Sequence, residues 1–207
     1  MRELVIVGAG GFGREAAWVA ERINAAAPQF ELIGFCDDAA DKREGQCGGY
    51  PLLGPLSGMK ARCGAVAFFC AIGNNRVRQE VMAEGRALGL EPVSLVDPGA
   101  VIAPDVEIGK GCFVGIGSVV SVGASLGEGV LVNHQVCVGH DAQIGDFAQL
   151  CPGVCISGGC VIGEGALLGT LAGAIPLKRV GAWATLGAGS VALKDVADGA
   201  AVVRLTR

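Results

Sequence analysis

Two histidines occur in the chain, His134 and His140, and His140 is followed directly by Asp141. Imidazole is the side chain best able to accept a proton near neutral pH. A neighbouring carboxylate can orient the ring and stabilise its charged form. The His140–Asp141 pair therefore predicts general-base catalysis. An exposed histidine without a chemical role is the alternative, and it is the favoured interpretation of His134.

A glycine-rich segment, GAGGFG at residues 8–13, lies between a short apolar run and a helical pattern. In this GxGxxG arrangement the backbone can approach a phosphate group, and the helix N-terminus supplies oriented N–H groups. Two acids close the next predicted strand, about where a ribose hydroxyl would lie. The alternatives are a dinucleotide site and a purely structural tight turn. The predicted ligand-binding residues are Gly8, Gly10, Gly11, Phe12, Gly13, Asp37 and Asp38.

A third polar segment, GNNRVR at residues 73–78, follows the third predicted strand. Ligands of α/β proteins bind at the carboxyl edge of the sheet, where amide and guanidinium donors from this segment would lie. The substrate-binding residues predicted here are Gly73, Asn74, Asn75 and Arg78. The alternatives are an asparagine cap on the following helix and a solvated position for Arg78.

The first 95 residues must position the glycine loop, and they alternate strand and helix patterns. Strands are predicted over 4–8, 31–38, 65–73 and 92–97, and helices over 13–27 and 75–88. This alternation is typical of a small parallel α/β sheet of the Rossmann-like kind. Because 95 residues suffice for only half of a dinucleotide fold, one mononucleotide is the favoured ligand.

From Val96 to Val191 the sequence follows sixteen consecutive six-residue repeats. The first position is aliphatic in fifteen hexads and alanine at Ala174, and the fifth is small except at Lys178. This period predicts a parallel β-helix in which three hexads complete one triangular coil and the first and fifth positions point inward. The two histidines take third positions of successive hexads, on different corners, which disfavours a metal ion shared between them.

Composition excludes several classes of protein. The 207 residues are 51% hydrophobic, with 35 glycines, nine cysteines and a net charge of -4. Such a chain is neither disordered nor collagen-like, and it lacks the basic charge expected of a nucleic-acid partner. No run reaches the roughly 18 apolar residues of a membrane span, and the N-terminus lacks the pattern of a signal peptide. A cytoplasmic protein with reduced thiols and no bound metal is predicted.

Three segments carry a family resemblance: GAGGFGRE at 8–15, AIGNNRVR at 71–78 and VGHDAQIGDFAQLCPGVCISGG at 138–159. Together with the hexads, they make the chain resemble the bacterial sialic acid O-acetyltransferase and nucleotide-amino-sugar N-acetyltransferase family. The resemblance covers essentially the whole chain. It implies a left-handed β-helix, acetyl-CoA as cosubstrate, a nucleotide sugar as the other substrate, and a homotrimer.

The resemblance also assigns roles to residues of the repeats. His140 and Asp141 match the family's catalytic pair, and Asn133 matches a residue near the base; an asparagine at positive φ is the alternative. Each matched cofactor residue can also be an ordinary corner residue. The tail VVRLTR at 202–207 departs from the family's usual ending. The positions matching contacts to acetyl-CoA are Gln149, Gly158, Thr170 and Ala188.

The predicted organisation is a nucleotide-sugar-binding domain over 1–95 and a β-helix acetyltransferase domain over 96–207. The resemblance implies transfer of acetyl from acetyl-CoA to a nucleotide-linked amino sugar, of the 4-amino-4,6-dideoxyhexose type, for bacterial surface glycans. Acetylation of a sialic acid hydroxyl is one alternative, and a non-catalytic nucleotide-binding scaffold is another. A covalent route through Cys137 or Cys151 is the rival mechanism.

Overall fold

The computed structural model describes residues 1–38, 46–62 and 66–203, with only the backbone described for Gln46 and residues 60–62. The chain forms two compact units, Met1–Asp97 and Pro98–Arg207. Most of the atypical tail, residues 204–207, lies outside the described part of the chain.

The first unit is built around a four-stranded parallel sheet with the strand order β2-β1-β5-β6. This arrangement confirms the small Rossmann-like α/β domain predicted from the sequence. Its elements are β1 (Arg2–Val7), α1 (Gly11–Ala26), β2 (Phe30–Cys36), β3 (Gln46–Cys47), β4 (Tyr50–Pro51), a 3₁₀ helix (Leu56–Arg62), β5 (Val66–Cys70), α2 (Asn75–Ala87), β6 (Glu91–Pro92) and β7 (Leu95–Val96).

The predicted fourth strand, 92–97, differs from the observed structure. Only Glu91–Pro92 pairs with β5, and Leu95–Val96 forms a separate short strand. Proline has no N–H for a strand ladder and is confined to edge strands, and β6 is indeed the edge of this sheet. The β3–β4 hairpin and the 3₁₀ helix were not predicted, because their glycine- and proline-rich segment shows neither strand nor helix period.

The second unit is a left-handed parallel β-helix, as predicted, made of three sheets of two-residue strands. Strands pair with the strand 18 residues along the chain, for example Val120 with Val138; the last pair, β22 with β24, is offset by 16 residues, as Thr185 pairs with Ala201. The first sheet contains β10 (Phe113–Val114), β13 (Leu131–Val132), β16 (Gln149–Leu150), β19 (Leu167–Leu168), β22 (Thr185–Leu186) and β24 (Ala201–Val202).

The other two sheets follow the same 18-residue register. The second sheet contains β8 (Val101–Ile102), β11 (Val119–Val120), β14 (Cys137–Val138), β17 (Cys155–Ile156), β20 (Gly173–Ala174) and β23 (Val191–Ala192). The third sheet contains β9 (Glu107–Ile108), β12 (Ser125–Leu126), β15 (Gln143–Ile144), β18 (Val161–Ile162) and β21 (Arg179–Val180).

The core of the β-helix consists of the first and fifth hexad positions. First-position residues such as Val138, Leu150 and Ile156 are completely buried, as are fifth-position residues such as Ala142. The bulky fifth-position Lys178 is only half-buried, because a long charged side chain does not fit this narrow interior. The predicted facing of the repeats is therefore correct.

From Gly111 to Gly189, the corners of the β-helix place their fourth hexad position at positive φ. Most of these residues are glycines, but Gln135, Asp141, Phe147, Leu171, Leu177 and Trp183 adopt φ between 56° and 64°. Each of the six follows a glycine by 18 residues, and the side chains of five lie over that glycine: Gln135, Asp141, Leu171, Leu177 and Trp183. A Cβ on Gly153, for instance, would stand 2.7 Å from Cδ2 of Leu171. At these corners, each larger residue therefore has a glycine at the same place one coil earlier.

Candidate active site

The corner that follows β14 carries His140 and Asp141, and their side chains contact each other. His140 Nδ1 and Asp141 Oδ2 are 2.8 Å apart. A carboxylate only accepts hydrogen bonds, so in the neutral imidazole this contact corresponds to the tautomer with the proton on Nδ1 and the lone pair on Nε2. The side chains are 66% and 73% exposed. The pair thus has the arrangement of an oriented base that an external molecule can reach.

Asp141 adopts a φ of 57° at the fourth position of its hexad. Aspartate tolerates this left-handed conformation better than most residues. A Cβ on Gly123, one coil earlier, would stand only 2.5 Å from Oδ1 of Asp141. The corner geometry and the glycine beneath it therefore determine where the carboxylate lies, and the carboxylate in turn orients the imidazole.

Gly158 lies against the ring of His140 from the next coil. A Cβ on Gly158 would stand 2.5 Å from Cε1 and 2.9 Å from Cδ2 of His140, and would overlap Nε2. Only glycine leaves room for the imidazole in this position. The 18-residue spacing between 140 and 158 was the signal in the sequence, since it places the two residues on the same corner of successive coils.

His134 occupies a different corner and has a different environment. Its ring is half-buried and meets Phe113 edge-on, with centroids 6.1 Å apart. The expectation of a solvent-exposed histidine is therefore wrong. Asn133, beside it, is half-buried and is not among the described residues with positive φ. Its backbone carbonyl accepts a hydrogen bond of 2.6 Å from the Ser118 hydroxyl.

The residues predicted to contact acetyl-CoA separate into two groups. Gly158 shares the corner of His140, whereas Thr170 and Ala188 lie at third hexad positions on the corner of His134, both exposed. Gln149 lies in β16, in the first sheet, and its amide Nε2 is 3.8 Å from the Cys151 sulfur. The second sheet separates the two corners, so one chain does not bring these residues together.

Two cysteines of the β-helix were candidates for a covalent acetyl intermediate. Burial raises the pKa of Cys137, and the nearby Cys155 raises it further. Burial also raises the pKa of Cys151, although the hydrogen bond from Gln149 lowers it somewhat. The reactive form of cysteine is the thiolate, so both environments oppose the covalent route.

The glycine loop of the first unit contains two kinds of glycine. A Cβ on Gly8 would stand 2.9 Å from the Ala71 carbonyl oxygen, and one on Gly13 would overlap the Gly8 carbonyl. At Gly10 and Gly11 an added Cβ would meet nothing within 4 Å. Packing therefore requires Gly8 and Gly13, whereas Gly10 and Gly11 border open space at the start of α1. Phe12 packs edge-on against Phe69, with centroids 6.1 Å apart.

A cleft of about 360 Å³ opens at this loop. Asp37 Oδ2 accepts a hydrogen bond of 2.8 Å from the Ala9 N–H, so this carboxylate holds the glycine loop. Asp38 is exposed at the cleft. Burial raises the pKa of the Cys36 thiol to about 12, with a further contribution from Asp38. The lining residues include Val7, Gly8, Gly10, Leu56, Ala71, Ile72, Val77, Val81 and Glu84.

The side chains of segment 73–78 form hydrogen bonds mainly within the segment itself. The Asn74 side chain accepts hydrogen bonds from the N–H groups of Arg76 and Val77 and caps α2, and Gly73 is exposed beside it. Arg78 is completely buried. Its guanidinium donates to the carbonyls of Ile72 and Gly73 and to Asn75 Oδ1 at 3.0–3.4 Å.

The sequence predicts that Arg78 contacts a ligand or solvent. This prediction is wrong, because the side chain is completely buried. This burial is not predictable from the sequence, because an arginine in the first turn of a helix is usually solvated. Its contacts show a residue that shapes the loop at the carboxyl end of β5.

Comparisons with known proteins give a family and several solved structures to which this chain is similar. Residues 3–84 match the family described as the PglD N-terminal domain. The acetyltransferase domain of PglB from Neisseria gonorrhoeae FA1090, solved in complex with acetyl coenzyme A, is 33% identical with a TM-score of 0.90. The alignment covers 98% of this chain and 96% of that one.

Two further solved structures are similar over nearly their full lengths. A histidine-to-asparagine variant of perosamine N-acetyltransferase from Caulobacter crescentus, in complex with CoA and GDP-perosamine, is 29% identical with a TM-score of 0.87, covering 99% of this chain and 94% of that chain. WeeI from Acinetobacter baumannii AYE is 26% identical with a TM-score of 0.87, covering 99% and 97%. A search of curated protein sequences gives no match. Within the described residues, no helix has the length and apolar character needed to cross a membrane.

Proposed function

The chain belongs to the bacterial nucleotide-amino-sugar N-acetyltransferases of the hexapeptide-repeat family, and from this we propose that it transfers acetyl from acetyl-CoA to the amine of a nucleotide-linked amino sugar. The acceptor is of the 4-amino-4,6-dideoxyhexose type, and the product serves bacterial surface glycan synthesis. GDP-perosamine bound to the Caulobacter relative supports this class of acceptor. Acetyl-CoA bound to the Neisseria relative supports the donor.

The observation that carries the proposal is the contact between His140 and Asp141. With Nδ1 bound to the carboxylate at 2.8 Å, Nε2 is the atom that receives a proton. The amine nitrogen attacks the thioester carbonyl carbon, forming the C–N bond, and His140 takes a proton from the nitrogen. Asp141 stabilises the resulting imidazolium. The histidine variant of the Caulobacter enzyme, solved with both substrate and CoA, is consistent with this role.

Collapse of the tetrahedral intermediate then breaks the C–S bond. The CoA sulfur leaves and takes up a proton, so the products are the sugar acetamide and the CoA thiol. We assign the Gly158 N–H as a donor to the oxyanion of this intermediate, since Gly158 lies directly against the His140 ring. Oriented backbone donors of this kind stabilise charge that develops in the transition state.

Nucleotide recognition is assigned to the cleft of the first unit. The open space at Gly10 and Gly11 suits a diphosphate, and the N–H groups at the start of α1 favour negative charge. Asp38 at the cleft supplies a carboxylate for the nucleoside. Asp37, by contrast, acts through its hydrogen bond to the Ala9 N–H, and Arg78 acts through the loop it holds.

A homotrimer is the proposed assembly. The residues matched to acetyl-CoA contacts lie on two corners of one prism, so a single chain does not gather them around one cofactor. A second copy can present its Thr170 corner to the His140 corner of the first. In this assembly the second copy would also cover the exposed His140–Asp141 pair, and catalytic charges act more strongly away from water.

The test is acetyl transfer by the wild-type protein and His140→Ala, with acetyl-CoA and a panel of GDP-, UDP- and dTDP-linked 4-amino sugars. The acetylated product is detected by mass spectrometry. Loss of a general base lowers kcat by ~10²–10⁴-fold, while acetyl-CoA binding, followed by calorimetry, stays intact. His140→Ala retaining more than half of the wild-type kcat would contradict the assignment.

A further inference from the structure

The cleft of the first unit is bordered by the glycine loop and by one side of α2. Val77, Val81 and Glu84 line it from α2, and their spacing of four and three residues places them on one face of the helix. Leu56, from the 3₁₀ helix, and Ile72, from the loop after β5, line the same cleft. The cleft therefore joins apolar side chains to a carboxylate on α2.

The place of Glu84 along α2 separates it from the phosphate end of the cleft. β1 and β5 are neighbouring parallel strands, so the glycine loop and the start of α2 leave the same edge of the sheet. Glu84 follows Asn75, the first residue of α2, by nine residues, which is about 13 Å along the helix axis at ~1.5 Å per residue. A side chain so far from the glycine loop meets the end of a nucleotide opposite the phosphates, which is the base.

We propose that Glu84 binds the base of the nucleotide and that this base is guanine. The inference rests on the proposed assignment of the cleft to a nucleotide sugar, and it names the nucleotide. Leu56, Val77 and Val81 would contact the faces of the base, while Glu84 accepts hydrogen bonds from its edge. Apolar walls with a few placed polar groups are the usual way in which a pocket fixes the orientation of a small ligand.

Guanine is the base whose edge matches a carboxylate. Its N1–H and its 2-amino group are adjacent donors that point the same way, and a carboxylate offers two oxygens that only accept hydrogen bonds. Uracil and thymine present one N–H between two carbonyl oxygens, which a carboxylate repels. Adenine and cytosine present one amino group beside a ring nitrogen that accepts. Among these five bases, only guanine can therefore donate two hydrogen bonds to one charged group.

The charge of the cleft favours the same base. Among the described residues that line it, the charged ones are all carboxylates: Asp37, Asp38 and Glu84. Asp37 accepts the hydrogen bond from the Ala9 N–H. Asp38 follows it directly, so it suits the ribose hydroxyls next to the phosphates. Glu84 is the carboxylate that remains for the base, and a base with two donors suits it.

The packing of α2 fixes where this carboxylate lies. Gly85, the residue after Glu84, faces β5, and a Cβ on Gly85 would stand 2.5 Å from Cζ of Phe68. Arg78 and Met82 of the same helix are buried as well. The helix is therefore held close to the sheet at this point, and Glu84 extends from a backbone that cannot shift or rotate freely. Specific recognition needs an acceptor held in this way.

The experiment is a calorimetric titration of the full-length protein with GDP, UDP, dTDP and inosine diphosphate, without acetyl-CoA. The wild-type protein is expected to bind GDP about 10–100-fold more tightly than UDP or dTDP, the range that a bidentate contact to a base gives. Inosine diphosphate carries guanine without the 2-amino group. It should bind about tenfold less tightly than GDP, because one of the two donors is absent.

Glu84→Gln is the test variant, since it replaces one acceptor by a donor and removes the charge. GDP affinity should fall about 10–100-fold, and the preference for GDP over inosine diphosphate should largely disappear. The UDP affinity should not fall, because an amide can pair with the N3–H and O4 of uracil. A merely structural change would weaken all four nucleotides by the same factor and leave their ratios unchanged.

Glu80→Gln is the matched control. Glu80 is exposed on α2 one turn before Glu84, outside the lining of the cleft, and all four affinities should stay as in the wild-type protein. The inference is overturned if UDP or dTDP binds as tightly as GDP, or if Glu84→Gln keeps the preference for GDP over inosine diphosphate. Either result leaves acetyl transfer to a nucleotide sugar intact, whereas binding of none of the four nucleotides contradicts the assigned cleft as well.

Discussion

The imidazole of His140 lies so close to Gly158 that only glycine at position 158 leaves the ring in this place. An added Cβ would stand 2.5 Å from Cε1 of the ring and overlap Nε2. Nε2, which the added Cβ would overlap, is the nitrogen assigned as the general base. Because Gly158 has no side chain, it leaves the space that the imidazole occupies, in addition to forming part of the corner.

Gly158→Ala is expected to displace the His140 ring and lower kcat by about 10–100-fold, a large part of the general-base contribution. The fold should persist, because the clash is with an exposed side chain that can swing away. Steady-state kinetics would show the loss. In the His140→Ala background the same change should have almost no further effect on kcat. Additive losses would mean that Gly158 acts independently of the ring.

Substitutions of Asp141 separate the effect of this residue on protein stability from its effect on catalysis. Glycine is the residue best suited to its φ of 57°, so Asp141→Gly should keep or raise the unfolding temperature. The same change removes the carboxylate that orients His140, and kcat should fall roughly 10–100-fold. Asp141→Asn keeps a side chain at Nδ1 and should lose less activity. If Asp141→Gly were fully active, the carboxylate would have no role in orienting the base.

The hexad pattern predicted the β-helix and the burial of its first and fifth positions, because a periodic interior leaves a periodic sequence. It also placed His140 and Asp141 on one corner. The role of Arg78 was not predictable, since its burial depends on the path of the Ile72–Gly73 backbone. Nor was the conformation of Asn133, because the positive φ falls two residues later, at Gln135. Such features depend on three-dimensional contacts that residue type alone does not encode.

The glycine loop gives a prediction that separates ligand binding from folding. Gly10→Val adds a side chain where an added Cβ meets nothing within 4 Å, so the protein should fold. It should raise the KM for the nucleotide sugar about tenfold or more by obstructing the diphosphate, with the KM for acetyl-CoA unchanged. Gly13→Ala, in contrast, meets the Gly8 carbonyl and should lower the unfolding temperature. Equal weakening of both substrates by Gly10→Val would contradict the assigned cleft.

The corner leucines test the backbone strain of the β-helix. Leu171 and Leu193 are both 68% exposed, but only Leu171 has a positive φ, 59°. A left-handed conformation costs a non-glycine residue about 1–2 kcal/mol, and an unstrained site loses about 0.5–1 kcal/mol on substitution by glycine. Leu171→Gly should therefore leave the protein about 1–2 kcal/mol more stable than Leu193→Gly. Urea unfolding measures this difference, and equal stabilities would show that the corner is unstrained.

Arg78 is a positioning residue, and its substitution should change the KM for the nucleotide sugar but not the KM for acetyl-CoA. Its guanidinium binds two loop carbonyls and Asn75 Oδ1 from a fully buried position. Lysine carries the same charge but lacks the planar fork that reaches several acceptors at once. Arg78→Lys should therefore let the loop shift and raise the KM for the nucleotide sugar several-fold. The kcat and the KM for acetyl-CoA should change little.

Arg78→Met is the companion variant, since it removes the charge and all three hydrogen bonds. It should lower the unfolding temperature more than Arg78→Lys, because it leaves the part-buried acceptors of Ile72, Gly73 and Asn75 without their donor, and an unsatisfied acceptor costs up to about 1–3 kcal/mol where it is buried. A purely structural arginine would lower stability in both variants without changing the KM of Arg78→Lys at temperatures where that variant is folded. A selective rise in the nucleotide-sugar KM is the result that identifies Arg78 as the residue holding the loop in its binding shape.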